Sequence, residues 1–293
     1  MNRRSFISSA SLAAAAASLP SSLFGALLQD LSDEQICRMK FDFAVSQSLA
    51  AKPLNDIIVE IGKTFIGTDY GANVLESDGE ERLVVNMRAL DCVTFYENCV
   101  VLARCIKSGK TTFEEYLSQL QFLRYRDGKI DGYTSRLHYT TDYWFNAEQK
   151  GILKVVTKEI FGENNVKEIQ RPINFMSTHR ESYKHLKTND ANWQKVKQQE
   201  DAINARKDYF LPKGNLHMFA DKVQNGDLIG ITTNLAGMDI AHTGVAVRQN
   251  GKLHFMHAPI VGKKVQITEQ PLYEYLAKNG KQTGIIVARV NPV

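Results

Sequence analysis

Apolar residues recur at helical spacing through the first part of the chain and at alternating spacing through the last. Ser32 followed by Gln35 is a capping-box signal, and the positions after it predict a helix to about residue 49. Ile57, Ile61 and Phe65 lie on one helical face and predict a second helix ending near Gly67. Residues 83–86 read as a short strand. Asp91 stands as the cap of an amphipathic helix over 92–107, stopped by Ser108-Gly109, and Thr112 with Glu115 opens another to about residue 126. From about 127 to 214 the regularity fails. Aromatic and charged clusters replace it, strand signals are few, and one polar run over 190–206 looks helical. After Gly226 the period becomes two, predicting strands over 227–233, 242–248, 252–257 and 284–290, with a short helix over 271–278. Helices first and strands later predict an α+β fold with an antiparallel sheet.

Composition narrows the class without naming it. The 293 residues are 43% apolar and 23% charged, which excludes collagen, coiled coil and wholesale disorder. A net charge of +4, with no run of Lys or Arg, gives no footprint for nucleic acid. Beyond the N-terminus no apolar run is long enough to span a bilayer, so no transmembrane segment is expected. Residues 1–26 read as a secretory signal: Arg3-Arg4 forms a basic start, an Ala-rich apolar stretch follows, and small residues near Gly25 offer a cleavage site. The Arg3-Arg4-Ser5-Phe6-Ile7 stretch resembles a twin-arginine export motif. The competing reading is an ordinary amphipathic first helix. The signal reading puts the mature chain, a monomer by expectation, in the periplasm or otherwise outside the cytoplasm.

The four cysteines, at 37, 92, 99 and 105, contain no CxxC pair. Cys92, Cys99 and Cys105 fall on one predicted helix, too far apart to bridge one another. A disulfide from Cys37 to Cys99 or Cys105 stays open. Cys92 differs because it occupies a first helical turn, where the dipole favours a thiolate and free N–H groups could hold an oxyanion. The Asn250-Gly251 pair between two β runs predicts a two-residue hairpin loop. Facing residues then sum to 501, so His257 opposes Gly244. His242 becomes its diagonal neighbour on the same face, about 7–8 Å away at Cα. Gly244 and Ala246 on that face are small enough to admit a helix. His254 falls on the opposite face and is expected to be partly exposed. Thiol, base and orienter suit nucleophilic catalysis, with His242 as base and His257 holding its ring. A Cys-His-His zinc site is the rival arrangement of the same three side chains.

These residues, together with Gly67-Thr68-Asp69-Tyr70, Asp91-Cys92, Ala241-His242-Thr243-Gly244 and Phe255-Met256-His257-Ala258, resemble the core of the NlpC-type, papain-like cell-wall hydrolases. The resemblance implies a catalytic set of Cys92, His242 and His257, and it matches Tyr70 to the family's tyrosine before the cysteine. Leu83-Val84-Val85-Asn86, Ser135-Arg136-Leu137-His138-Tyr139, His179-Arg180-Glu181-Ser182-Tyr183 and Asn225-Gly226-Asp227 look more specifically like the N-acetylmuramoyl-L-alanine amidase-like branch. That implies a papain-like core over about 53–126 and 215–293 in one catalytic domain, 27–293, with an insertion over about 127–214. It also implies hydrolysis, without metal or cofactor, of the amide between muramic acid and L-Ala in soluble, anhydro-ended muropeptides. The candidate substrate contacts are Tyr70, Asp91, Ser135, Arg136, His138 and Tyr139. Asp91 is a helix cap or also an amine ligand, Arg136 would hold a carboxylate, and Tyr139 or Trp144 would stack on a sugar. Without the resemblance, the polar cluster at 135–142 reads rather as a surface loop with its own local network, and the charged run over 184–207 as a solvated helix face. Two further activities remain beside the amidase: a γ-D-glutamyl-diamino-acid endopeptidase using the same three residues, and a muropeptide-binding protein without catalysis.

Overall fold

The computed structural model describes residues 31–293 apart from Arg171; the signal read at 1–26 lies outside them. Helix α1 (Asp33–Ser46) starts on the capping box of Ser32 and Gln35, closed in both directions. Helix α2 (Leu54–Lys63) follows and turns out at Gly67, whose φ is 88°. The stretch read as a strand at 83–86 is not one. Side chains hold it instead: Arg124 donates to Val84 O and Tyr125 to Arg82 O. The strand lies just beyond, where β1 (Asp69–Tyr70) pairs parallel with β2 (Ala89–Leu90), register Tyr70 to Leu90.

Helix α3 (Cys92–Ser108) is capped by Asp91 and stops at Gly109 in the left-handed region. Helix α4 (Phe113–Arg124) is capped by Thr112, whose hydroxyl accepts from Glu115 N–H. The segment 127–214 holds a buried helix, α5 (Thr140–Gln149), and three short strands, β3 (Leu153–Val155), β4 (Lys167–Glu168) and β5 (Tyr209–Pro212). It also holds helix α6 (Asp190–Asn204). After it come β6 (Leu228–Thr233), β7 (Ile240–Gln249), β8 (Lys252–His257) and β9 (Gln266–Ile267). Helix α7 (Leu272–Ala277) and β10 (Gln282–Val290) complete the chain.

The eight-stranded sheet runs β4-β5-β10-β6-β7-β8-β9, with β3 also on β10, and each pairing is antiparallel. Thus 127–214 does more than cover a core: its strands extend the sheet along β10. Strands of two to four residues are too short for alternation to register in a sequence.

One face of the sheet packs on the helices. Val245, Val247 and Met256 join Ile58, Phe95 and Cys99 in the main core, and a Cβ on Gly62 would strike Met256 Cε at 2.3 Å. The opposite face is closed by α7, where Ala246 and Phe255 meet Leu272 and Leu276. Helix α3 therefore does not approach over Gly244 and Ala246, as the spacing of small residues implied. Gly244 is small for another reason: a Cβ there would meet Met256 O at 2.4 Å and the ring of Phe255 at 2.8 Å. A third, smaller core from 127–214 gathers Tyr133, Tyr139, Ile173, Met176 and Leu186. All four cysteines are free, so Cys37 bridges neither Cys99 nor Cys105. Among the described residues no helix is long and apolar enough to cross a membrane.

Candidate active site

The parallel pairing of β1 with β2 delivers Asp91 and Cys92 to the start of α3 with Tyr70 alongside. Asp91 forms a full capping box: its Oδ1 accepts from Val93 N–H at 3.0 Å and Thr94 N–H at 2.7 Å, and Thr94 Oγ1 accepts from Asp91 N–H. Two of the first-turn donors expected for an oxyanion are thereby taken by the cap. Thr243 ties β7 to this turn, its hydroxyl donating to Cys92 O at 2.9 Å.

Burial, followed by the neighbouring Asp91 carboxylate, pushes the Cys92 thiol up to about 11, against hydrogen bonds from the Thr243 side chain and backbone that pull it down. This reverses the sign anticipated from the helix dipole: desolvation of the charged form outweighs the favourable field. The Tyr70 hydroxyl is raised by burial and by Cys92 and Asp91 beside it. At neutral pH the thiol holds its proton.

The hairpin has the register expected of its Asn-Gly loop. Gln249 faces Lys252 and Val245 faces Met256, while Asn250 and Gly251 both take positive φ, at 50° and 78°. His242 and His257 meet as diagonal neighbours, with His242 Nε2 and His257 Nδ1 2.6 Å apart in a ring-to-ring hydrogen bond. A bulge sharpens this. Between β6 and β7, Ile231 opposes His242 but Thr232 opposes Ile240, so Ala241 is the extra residue. Bulges re-aim the side chains next to them, and no feature of the sequence marked this one.

His257 is fully buried between Phe255 and Tyr275, with ring centroids 4.7 and 5.5 Å away. Its Nε2 has no hydrogen-bond partner among the described residues. Burial lowers His242 to about 4; burial and the adjacent His242 lower His257 to about 3. Both rings are neutral at pH 7. His254, expected to be partly exposed, is buried at 7% exposure, and its Nδ1 pairs with Thr268 O at 2.8 Å. Strand β9 and the chain after it cover that edge, which the hairpin alone could not foretell.

Cys92 and His242 line one cavity of about 270 Å³. His138 and Tyr139 line it too; Ser135 and Arg136 do not. Ser135 Oγ closes a local turn, donating to Gly132 O and accepting from Asp131 N–H. Arg136 is buried and paired with two carboxylates, Glu76 at 2.8 Å and Glu81 at 3.0 Å, which commits the cation expected for a substrate carboxylate. Tyr139 donates to Glu200 and accepts from Met176 N–H. Trp144, at 1% exposure, lies in the main core against Gly230 and is not a sugar platform. Asp142 is held by Arg126 and Arg206. The cluster at 135–142 is therefore mostly buried rather than a surface loop. The polar helix α6 is not solvated all round: Glu200 is buried at 2% exposure, on the same side as buried Val196 and Ile203.

Sequence reasoning missed Glu76, Tyr133, Phe175, Tyr183 and Thr243, all on the cavity wall. Thr243 and Tyr183 had a signal, each lying within a stretch that carried the resemblance, but neither was singled out as a contact. Among the described residues no group of three or more His, Cys, Asp or Glu side chains could hold a metal ion.

Comparison with known proteins places the fold and the family. An N-acetylmuramoyl-L-alanine amidase from Bacteroides uniformis, solved by crystallography, superposes with a TM-score of 0.76 at 36% identity, covering 81% of this chain and 99% of its own. A Bacteroides fragilis protein provisionally named a xylanase gives 0.73 at 37% identity, covering 78% of this chain and 98% of its own. A Legionella pneumophila protein shares the fold at 20% identity, with a TM-score of 0.67 over 92% of this chain and 97% of its own. No curated protein matches the chain. The profile of the AmiA-like family, described as N-acetylmuramoyl-L-alanine amidase-like, matches residues 60–285, from α2 through Cys92 and both histidines into β10. The chain thus belongs to the N-acetylmuramoyl-L-alanine amidase-like family.

Proposed function

We propose that this chain is a cysteine-dependent N-acetylmuramoyl-L-alanine amidase of the NlpC-type, papain-like superfamily. In this reading it acts outside the cytoplasm on soluble, anhydro-ended muropeptides. The observation that carries it is the meeting of Cys92 and His242 on one cavity, with the second ring nitrogen of His242 engaged by His257 at 2.6 Å.

Because Nε2 of His242 faces His257, Nδ1 is the nitrogen left to serve the thiol. His242 takes the Cys92 proton as Sγ attacks the lactyl carbonyl carbon, and the carbonyl π pair moves onto oxygen. The imidazolium so formed donates Nε2–H to His257 Nδ1. The tetrahedral intermediate collapses: the C–N bond breaks, His242 returns the proton to the L-Ala nitrogen, and a thioester remains. Water then attacks the thioester with His242 again as base, releasing the muramoyl acid and the free thiol. A buried neutral thiol and a neutral imidazole suit this order, since the proton moves during attack and no ion pair has to form beforehand.

A glycosidase reading, prompted by the xylanase name of one neighbour, finds little support. Such chemistry needs two carboxyl groups flanking one bond. Here Glu76 is paired with Arg136, and Asp239 accepts from Thr141 N–H and Oγ1. Product masses from a disaccharide-peptide and from the matching sugar-free stem peptide test the reading. L-Ala-headed peptide is expected from the first and no cleavage of the second, with turnover kept in EDTA and lost to iodoacetamide. Cleavage after D-Glu in either substrate would favour the γ-D-glutamyl endopeptidase.

A further inference from the structure

The cavity wall facing Cys92 has a chemistry of its own. Among its described residues are two acids, Glu76 and Asp239, and neither lysine nor arginine. Tyr133 lines it at 3% exposure, and its hydroxyl has no hydrogen-bond partner among the described residues. An unsatisfied buried hydroxyl is costly, so the site gains when an occupant supplies the partner. The Tyr133 ring is packed by His138 at 4.5 Å and His185 at 4.7 Å, with the Arg136 guanidinium 5.1 Å over it, so it offers its hydroxyl and not a stacking face.

His138 is buried beside Arg136, which together hold it well below the usual imidazole range and therefore neutral. Its Nε2 pairs with Tyr133 O at 3.0 Å. A neutral ring donates there, which leaves Nδ1 as an acceptor. Glu76 adds carboxylate oxygen whose charge Arg136 already meets. Phe175 and Tyr183 supply apolar surface on the same wall. An occupant must therefore bring hydroxyl or amide donors, an apolar side and no negative charge. At about 270 Å³ the space is at the small end for ligand pockets and suits one ring.

We propose that Tyr133, Glu76 and His138 form the glycan subsite, which takes one uncharged pyranose ring with its hydroxyl and acetamido groups and leaves the anionic stem peptide outside the cavity. The identity of the sugar as muramic acid rests on the amidase reading; the preference for a neutral polyol over an anionic peptide does not. This wall thereby orients the substrate and sets which side of the amide reaches Cys92.

The test uses the full chain carrying Cys92→Ala, so that binding is read without turnover. Calorimetry compares the uncharged amide of N-acetylmuramic acid with the dipeptide L-Ala-γ-D-Glu. Adding Tyr133→Phe removes only the hydroxyl, and is expected to weaken the sugar amide about tenfold while leaving the dipeptide unchanged. Its melting temperature should equal or exceed that of the parent, because the lost hydroxyl had no partner. No binding of the sugar amide, equal binding by both variants, or weakening of the dipeptide instead would overturn the subsite. Failure of the amidase reading shows separately, as wrong product masses from the unmodified chain.

Discussion

Helix α3 carries two buried polar clusters little more than one turn apart, and they behave in opposite ways. At Glu97 each charge is met: Arg124 Nη2 lies 2.7 Å from Glu97 Oε2, Arg124 Nε lies 3.0 Å from Oε1, and Tyr143 donates to Oε1 at 2.7 Å. Glu97 is fully buried and the Arg124 side chain is 3% exposed. At the helix start, Cys92, His242 and His257 are placed in similarly dry surroundings: among the described residues no cation acts on the thiol, and no carboxylate is among the groups that shift the two imidazoles. Burial then drives all three to the neutral form. A buried group with its counter-charge stays ionised and becomes part of the scaffold. One without it stays neutral and can pass a proton when a substrate arrives.

The largest effect that could break this contrast is on turnover. Cys92→Ala should lower kcat/KM at least about 10⁴-fold, with the melting temperature little changed. Residual activity near that of the parent would remove Cys92 from the mechanism.

The other cluster should answer in stability. Glu97→Ala leaves Arg124 buried and unpaired, at a cost of about 3–5 kcal/mol in urea unfolding. A loss under about 1 kcal/mol would mean the pair is not structural.

Next in size, His257→Ala should reduce turnover about 10²-fold and still permit alkylation of Cys92, because His242 remains. His254→Ala should keep turnover within about twofold and cost about 1 kcal/mol of stability, from the lost bond to Thr268 O. An essential His254 with a dispensable His257 would mean that the working hairpin register is shifted by one.

The smallest and most graded effects are with pH. His242 and His257 have folded values, about 4 and about 3, below the ordinary imidazole value of about 6.5. Between those limits the unfolded chain binds more protons, so stability rises with pH. Their contribution is complete above about 6.5 and drains away as the pH falls through about 4 for His242 and about 3 for His257. The rate of Cys92 alkylation should keep rising toward pH 11 rather than level off near neutrality, as titration with iodoacetamide would read. A plateau by pH 7 would indicate a preformed thiolate.

How much of this was legible depended on the range of the interactions. The caps at Ser32, Asp91 and Thr112, the stop at Gly109 and the hairpin at Asn250-Gly251 were readable because each is settled within a few residues. Pairing His242 with His257 followed from that loop, since a two-residue turn sets the register of both strands. The cavity wall was readable only in part, at His138 and Tyr139, which the resemblance offered as substrate contacts. Tyr133, Phe175 and Tyr183 stand far from Cys92 in the chain, and α5, with Thr140, Thr141 and three aromatics, lacks a strong helical preference of its own. Arg136 illustrates the same limit. Its charge was evident, but the two carboxylates that neutralise it, Glu76 and Glu81, come from 60 and 55 residues earlier.

The sequence by itself determined where a thiol begins a helix, which two histidines share a strand face, and that helices precede an antiparallel sheet. These rest on periodicity, caps and one turn, all local. Tertiary structure alone decided the protonation states. The thiol sits at about 11 because burial and Asp91 outweigh the helix field, and burial depends on what the rest of the chain lays over the site. It also decided which face of the sheet receives α3, how the Ala241 bulge turns His242, and that 127–214 lends strands to the sheet and a wall to the cavity. Desolvation and charge pairing are sums over neighbours brought together by folding, so no local pattern in the chain can encode them.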